Sequence, residues 1–193
     1  MKHLSKNHQE IDRLGMIALI QQFPLATIIS VKDNETIISH LPLVYCNGKL
    51  ISHMDKLNPQ AKLLKNNLSV DLTFSGPLQG IAHNKDKKLQ KWNYAEIHLK
   101  GKVNEIENPI FLKWNLISTI DLLETNSGYT LNTNDEKLKS CIPYVKGFEV
   151  SITHWESKLK PSKSQNKEDF ELEINNLKTK NQRNIDCFFN KIL

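Results

Sequence analysis

The chain has 193 residues, with 39% apolar and 24% charged side chains; that length and balance suit one well-packed domain with an appended helical piece and exclude a disordered or fibrous class. No uninterrupted apolar stretch approaches the roughly 18 residues of a membrane helix, and the opening Met1-Lys2-His3-Leu4-Ser5 lacks the apolar core of a secretion signal, so a cytoplasmic location without membrane association is expected. A net charge of +5, with 26 basic residues interspersed among 21 acidic ones, allows phosphate-bearing partners without announcing a DNA-binding surface.

In chain order, residues 10–22 place Ile11, Leu14, Ile17 and Ala18 in a helical rhythm that Phe23-Pro24 ends. Leu25 to Val31 is rich in β-branched residues and leads into Asp33-Asn34, a turn pair; Thr36 to Cys46 resumes strand composition. Asn47-Gly48 between apolar runs is a strong hairpin signal, because both central residues need positive φ, and Lys49 to Met54 supplies the returning strand. Asn58-Pro59 opens a short helix to about Lys65, with asparagine as cap and proline at the first helical position. Leu68, Val70, Leu72 and Phe74 alternate on one face of the next strand, which Ser75-Gly76-Pro77 breaks.

Residues 79–91 read as a polar, basic loop, and a strand follows from Trp92 to about Glu105. Asn108-Pro109 caps a helix whose expected apolar stripe is Ile110, Phe111, Trp114, Ile117, Ile120 and Leu122–Leu123. Residues 125–140 form a polar connection with room for another helical turn. Gly147 to Trp155 alternates, with Phe148, Val150 and Ile152 inward. Residues 156–168 are lysine-rich without apolar periodicity, and a long polar helical tail closes the chain. Six or seven short-linked strands favour a small antiparallel barrel over a parallel sheet.

Sites of familiar kinds are absent from the sequence. Cys46, Cys141 and Cys187 form no Cys-x-x-Cys pair, so neither a zinc site nor a disulfide framework is indicated. His40, His53, His83, His98 and His154 include no i, i+4 helical metal pair. No nucleophile elbow or catalytic triad can be drawn. Seven glycines include no phosphate-cradling loop, so a nucleotide would be held by side chains and strand edges, with Lys56 beside Asn58-Pro59 able to meet a phosphate. Residues 108–140 hold helices but not the tight turn of a helix-turn-helix.

Several segments, in order, resemble the PaiB-like family of FMN-binding negative transcriptional regulators. They are Phe23-Pro24-Leu25-Ala26-Thr27, Ser39-His40-Leu41-Pro42-Leu43, the run Gly48 to Gln60, Phe74-Ser75-Gly76-Pro77, Trp92-Asn93-Tyr94-Ala95 with His98 and Gly101, Gly147-Phe148-Glu149-Val150, and Ser164-Gln165-Asn166. The resemblance implies an α+β protein, mainly β: an antiparallel split β-barrel of FMN-binding type with peripheral helices, spanning residues 1–177 ahead of a helical tail at 178–193. It implies a homodimer that binds FMN, with Lys56 and Lys163 at the phosphate, Trp92 and Asn93 bordering the ring system, and His53, Asn58 and Gln165 as polar contacts. Lys56 stands where the family has arginine; it keeps the charge but loses the bidentate fork, so weakened or lost flavin binding is expected. DNA as a partner is allowed by the resemblance but marked by no motif. Split barrels of this kind also serve as flavin reductases and other FMN-dependent oxidoreductases, which is the alternative reading.

Overall fold

Two left-handed turns set the first hairpins of the structure, a computed structural model that describes residues 10–76, 80–81, 92–123, 132–160 and 167–192. Asp33 and Asn34 take φ of 52° and 65°, and Asn47 and Gly48 take 48° and 82°. Such paired positive angles match the twist of the flanking strands, and Asn, Asp and Gly adopt them at least cost. The first turn joins β1 (Leu25–Lys32) to β2 (Glu35–Pro42), in antiparallel register from Leu25↔Pro42 to Lys32↔Glu35. The second joins β3 (Val44–Cys46) to β4 (Lys49–Asp55).

Further along the chain come β5 (Ser69–Ser75), the two-residue β6 (Gly80–Ile81), β7 (Trp92–Ile106) and β8 (Val145–Lys160). The helices are α1 (Arg13–Gln22), α2 (Pro109–Leu123), α3 (Glu136–Cys141) and α4 (Lys167–Ile192), with 3-10 turns at Pro59–Lys62 and Ile142–Tyr144. These elements fall into two compact units, Asp12–Phe74 with Ile97–Glu156, and Met1–Ile11 with Ser75–Glu96 and Ser157–Leu193.

The first unit carries the sheet, in the order β2-β1-β5-β7-β8-β4-β3. Its core is Ile28, Leu50, Leu72, Phe74, Ile97, Leu99, Val103, Phe148 and Val150, none more than 1% exposed. Each contributes roughly 1.5–3 kcal/mol by leaving water. The predicted inward set of β5 is confirmed at Val70, Leu72 and Phe74. Gly101 lets β7 and β8 approach closely, since a Cβ there would lie 2.9 Å from the Ser151 carbonyl oxygen. Gln60 is fully buried, and the two hydrogens of its Nε2 are shared among the Ile28 carbonyl (3.2 Å), Ser30 Oγ (2.9 Å) and the Ile37 carbonyl (3.1 Å). One amide thereby ties the 3-10 turn to both strands of the first hairpin.

The second unit includes the β6–β7 pairing, Gly80↔Asn93 and Ile81↔Trp92. In it Ser157, 5% exposed, accepts from the Ile11 amide at 2.8 Å and donates back to the Ile11 carbonyl at 3.1 Å. Helix α4 runs without interruption through the expected 177/178 boundary.

Several expectations are corrected. The single strand over 36–46 is broken at Leu43, which is fully buried and donates its amide to the Pro24 carbonyl at 3.0 Å. The 156–168 segment begins as strand, because β8 continues to Lys160. Both early helices present different faces from those read off the sequence. In α1 the buried residues are Met16 and Ile20, while Leu14 is 76% exposed. The Asp12 cap, whose carboxylate accepts from the Gly15 amide at 2.7 Å, fixes where the helix starts and so how it is rotated. In α2 the buried residues are Leu112, Asn115, Leu116 and Thr119, while Ile110, Phe111 and Trp114 lie outward. Apolar residues are spread round every side of this helix, so periodicity selects no face; the polar needs of β4 select it instead, as described next.

Candidate functional site

Strand β4 and the turn after it carry three of the predicted site residues, each with different surroundings. His53 is half-buried, and its Nδ1 lies 3.1 Å from Asn115 Oδ1 on α2. Asn115 is fully buried and donates Nδ2 to the Ser52 carbonyl at 2.8 Å. Its Oδ1 can therefore only accept, which assigns the ring proton to Nδ1. Burial pushes the His53 pKa below the ordinary 6.5, partly offset by the Asn115 hydrogen bond. His53 is thus a neutral imidazole at pH 7, and α2 docks through a polar residue because it answers a backbone carbonyl of β4.

Lys56 sits one residue past β4. Its amide donates to the Tyr144 carbonyl at 2.8 Å and its Nζ to the Pro143 carbonyl at 2.7 Å. An ammonium has three donors, so one carbonyl contact leaves its charge and two donors available. Asn58 is occupied at both ends: Oδ1 accepts from the Gln60 amide at 2.9 Å, and Nδ2 donates to Ser39 Oγ at 3.1 Å. It caps the 3-10 turn, and the Asn-Pro-Gln segment thereby places Lys56 and Lys62 on either side of a fixed corner.

An open cavity of about 580 Å³ lies against this corner. Lys56, Lys62 and Lys146 line it with Glu105 and Glu107, and Ile106, Pro109, Leu112, Ile142 and Pro143 supply its apolar surface. The volume is in the range of small-molecule and cofactor sites, roughly 300–1,000 Å³. Lys146 and Glu105 pair at 2.7 Å, their side chains 18% and 24% exposed. The Lys146 hydrogen bond holds the Glu105 carboxyl below its usual range, against the opposing effect of burial. With that pair neutralised, Lys56 and Lys62 face Glu107, leaving the cavity with a net positive charge.

Of the predicted residues, Lys56 lines the cavity, whereas His53 is turned to α2 and Asn58 to the hairpin. Trp92 and Asn93 open β7 and pair with β6 through their backbone; their side chains lie outside the described residues, as do Lys163 and Gln165 altogether. Sequence reasoning missed Lys62, the Glu105–Lys146 pair and Asn115. The first three carry no spacing signal, and Asn115 was detectable only as a polar residue inside an apolar helix. Among the described residues no group of His, Cys, Asp and Glu could hold a metal ion, and no helix is long and apolar enough to cross a membrane.

The same sheet recurs in solved structures. The FAD and heme binding protein from Mycobacterium smegmatis matches with a TM-score of 0.67 and 16% identity, over 86% of this chain and 80% of that one. The flavocytochrome Anf3 from Azotobacter vinelandii matches with a TM-score of 0.66 and 17% identity, over 88% and 78%. A protein described as a "putative 5-nitroimidazole antibiotic resistance protein", from Bacteroides thetaiotaomicron, matches with a TM-score of 0.60 and 17% identity, over 82% and 95%. At these identities the likeness defines the fold alone: an antiparallel split β-barrel with peripheral helices. The search of curated proteins gives no match. A family model described as "Putative FMN-binding domain" matches residues 2–154. The chain belongs to that family.

Proposed function

We propose that this chain binds FMN in the cavity beside Lys56, and that it acts as a homodimeric, cytoplasmic negative transcriptional regulator of PaiB-like type. The observation that carries the flavin reading is the meeting of Lys56 with Lys62 on a cavity that also offers apolar surface from Ile106, Leu112 and Ile142. A phosphate dianion suits the ammonium groups, and a flat, largely apolar ring system suits the rest. The side chains present therefore fit the group. Lys56 and Lys62 would hold the phosphate, with Lys163, Gln165, Trp92 and Asn93 as further contacts by resemblance. His53 and Asn58 would support the site by fixing α2 and the 3-10 turn. Bound flavin would supply electron-transfer chemistry that no side chain provides. The regulatory role, the dimer and the cellular location rest on the family resemblance.

The test begins with the absorbance spectrum of freshly purified protein, followed by titration with FMN, FAD and riboflavin. A charge-assisted contact to phosphate contributes roughly 1.5–3 kcal/mol. Lys56→Ala should therefore weaken FMN about ten- to hundredfold and leave riboflavin, which has no phosphate, nearly unchanged. A colourless protein whose addition leaves FMN fluorescence unquenched would sink the flavin reading. DNA binding that survives a rise to physiological salt supports the regulator. Steady NAD(P)H oxidation dependent on FMN would move the reading to an oxidoreductase.

A further inference from the structure

Asn47 and Gly48 make up the whole turn between β3 and β4, with φ of 48° and 82°, and both are exposed. Neither the Asn47 carboxamide nor the Gly48 amide has a hydrogen-bond partner among the described residues. A Cβ at Gly48 would meet nothing within 4 Å, so the Gly48 nitrogen is screened neither by a side chain of its own nor by a neighbour.

Other described asparagines are held differently. The carboxamides of Asn58, Asn66, Asn104, Asn108, Asn115 and Asn132 are all engaged in hydrogen bonds. Asn58 and Asn108 also precede proline, which has no N–H to give up. After Asn67 and Asn134 the next amide is occupied: Leu68 donates to the Lys65 carbonyl at 3.0 Å, and Asp135 to the Asn132 carbonyl at 3.1 Å. Asn47 combines a free carboxamide with an unhindered, unbonded amide on the residue that follows.

We propose that Asn47 is a modification site, at which the Gly48 backbone nitrogen attacks the Asn47 carboxamide carbon and the turn deamidates without an enzyme. The Gly48 nitrogen loses its proton to solvent base and bonds to Cγ, and the carboxamide nitrogen leaves as ammonia, closing a succinimide ring. Water, the one co-reactant, then opens the ring. Breaking the bond from the Gly48 nitrogen to Cγ gives aspartate on the original main chain. Breaking the bond to the Asn47 carbonyl carbon instead gives isoaspartate, whose main chain runs through Cβ and Cγ. Nothing is oxidised or reduced.

The two products act differently on the hairpin. Asp33 holds the same position in the first hairpin turn at φ 52°, so aspartate at position 47 keeps the turn. Isoaspartate adds a methylene to the main chain of a turn whose two-residue length sets the register Val44↔Ile51, Tyr45↔Leu50 and Cys46↔Lys49. β3 ends the sheet, and β4 is its ladder partner among the described strands. The isoaspartyl turn therefore loosens this edge and uncovers the half-buried Cys46 thiol.

The test incubates the full chain, carrying Cys141→Ser and Cys187→Ser, in mildly alkaline buffer and follows its peptides by mass spectrometry. The peptide holding Asn47 should gain the mass of an amide-to-acid exchange at least about tenfold faster than peptides holding Asn66 or Asn104, and should split into two chromatographic forms. In the isoaspartyl protein, separated by ion exchange, Cys46 should react with a thiol reagent at least about tenfold faster than in the unmodified protein, whereas Asn47→Asp should leave that rate unchanged. Equal rates at the three asparagines, or conversion of Asn47 in urea alone, would overturn the site. An unchanged Cys46 rate in the isoaspartyl protein, or a raised one in Asn47→Asp, would overturn the effect assigned to the added methylene.

Discussion

Replacing Asn115 by alanine isolates the contact that sets the face of α2. The wild-type side chain is fully buried and holds two partners, the Ser52 carbonyl at 2.8 Å and His53 Nδ1 at 3.1 Å. Its removal strands a carbonyl in the interior, which costs about 1–3 kcal/mol, and deletes a second hydrogen bond with a net value of about 1 kcal/mol. The His53 ring is half-buried and can recover part of that loss from solvent. The expected destabilisation is about 2–4 kcal/mol, read as a lower urea midpoint at unchanged m-value. Nuclear magnetic resonance of the His53 ring gives an independent readout. The Asn115 bond raises the imidazole pKa against the lowering by burial, so the variant should titrate at still lower pH than wild type. A loss of stability below about 0.5 kcal/mol, within the range of ordinary surface substitutions, would refute the claim that Asn115 anchors α2. An unmoved His53 titration would refute the assigned hydrogen bond.

The His53 pKa is depressed on folding. The unfolded chain therefore takes up the proton first, and stability should fall as pH drops below 6.5 until the folded-state value is passed; His53→Gln should remove that component from urea midpoints measured between pH 7.5 and 5. Glu105 is also held below its ordinary value, 4.5, by Lys146, so its contribution is present above that pH and disappears as pH falls through the folded value; Lys146→Met should flatten this acid limb. Gly101→Ala would put a Cβ against Val150 Cγ1 and 2.9 Å from the Ser151 carbonyl oxygen, and strand backbone cannot yield cheaply. A loss of about 2 kcal/mol or more is expected by thermal melting. Lys56→Arg restores a bidentate fork at the cavity, and FMN titration should show binding tightened about fivefold, roughly 1 kcal/mol.

The turns and alternating strands were legible because their signals are local. Asn47-Gly48 and Asp33-Asn34 need positive φ whatever surrounds them, and Val70, Leu72 and Phe74 alternate with a period only a half-buried strand satisfies. The break at Leu43 was not legible, since it depends on a hydrogen bond to Pro24 in the connection from α1 to β1. Nor was the rotation of α2, whose apolar residues occur on every side and left the choice of face to a carbonyl on β4 some sixty residues upstream. The candidate site was legible to the same extent. Lys56 stood out beside Asn58-Pro59, but Glu105 and Lys146 meet only because β7 and β8 are neighbours in the sheet.

Gln60 gives the first hairpin a check on its own assembly. Its amide nitrogen lies within hydrogen-bond distance of acceptors on Ile28 and Ser30 of β1 and on Ile37 of β2, and the observed register pairs Ser30 with Ile37. A hairpin slipped by one residue would carry the Ile37 carbonyl away from this point and turn β2's side chains to the opposite face. Gln60 would then keep its acceptors on β1 but lose its tie to β2, and the 3-10 turn would no longer brace both strands. The register of the hairpin is thereby coupled to a residue some twenty positions downstream, and Gln60 is a gauge that reaches both strands only when β1 and β2 are paired as observed.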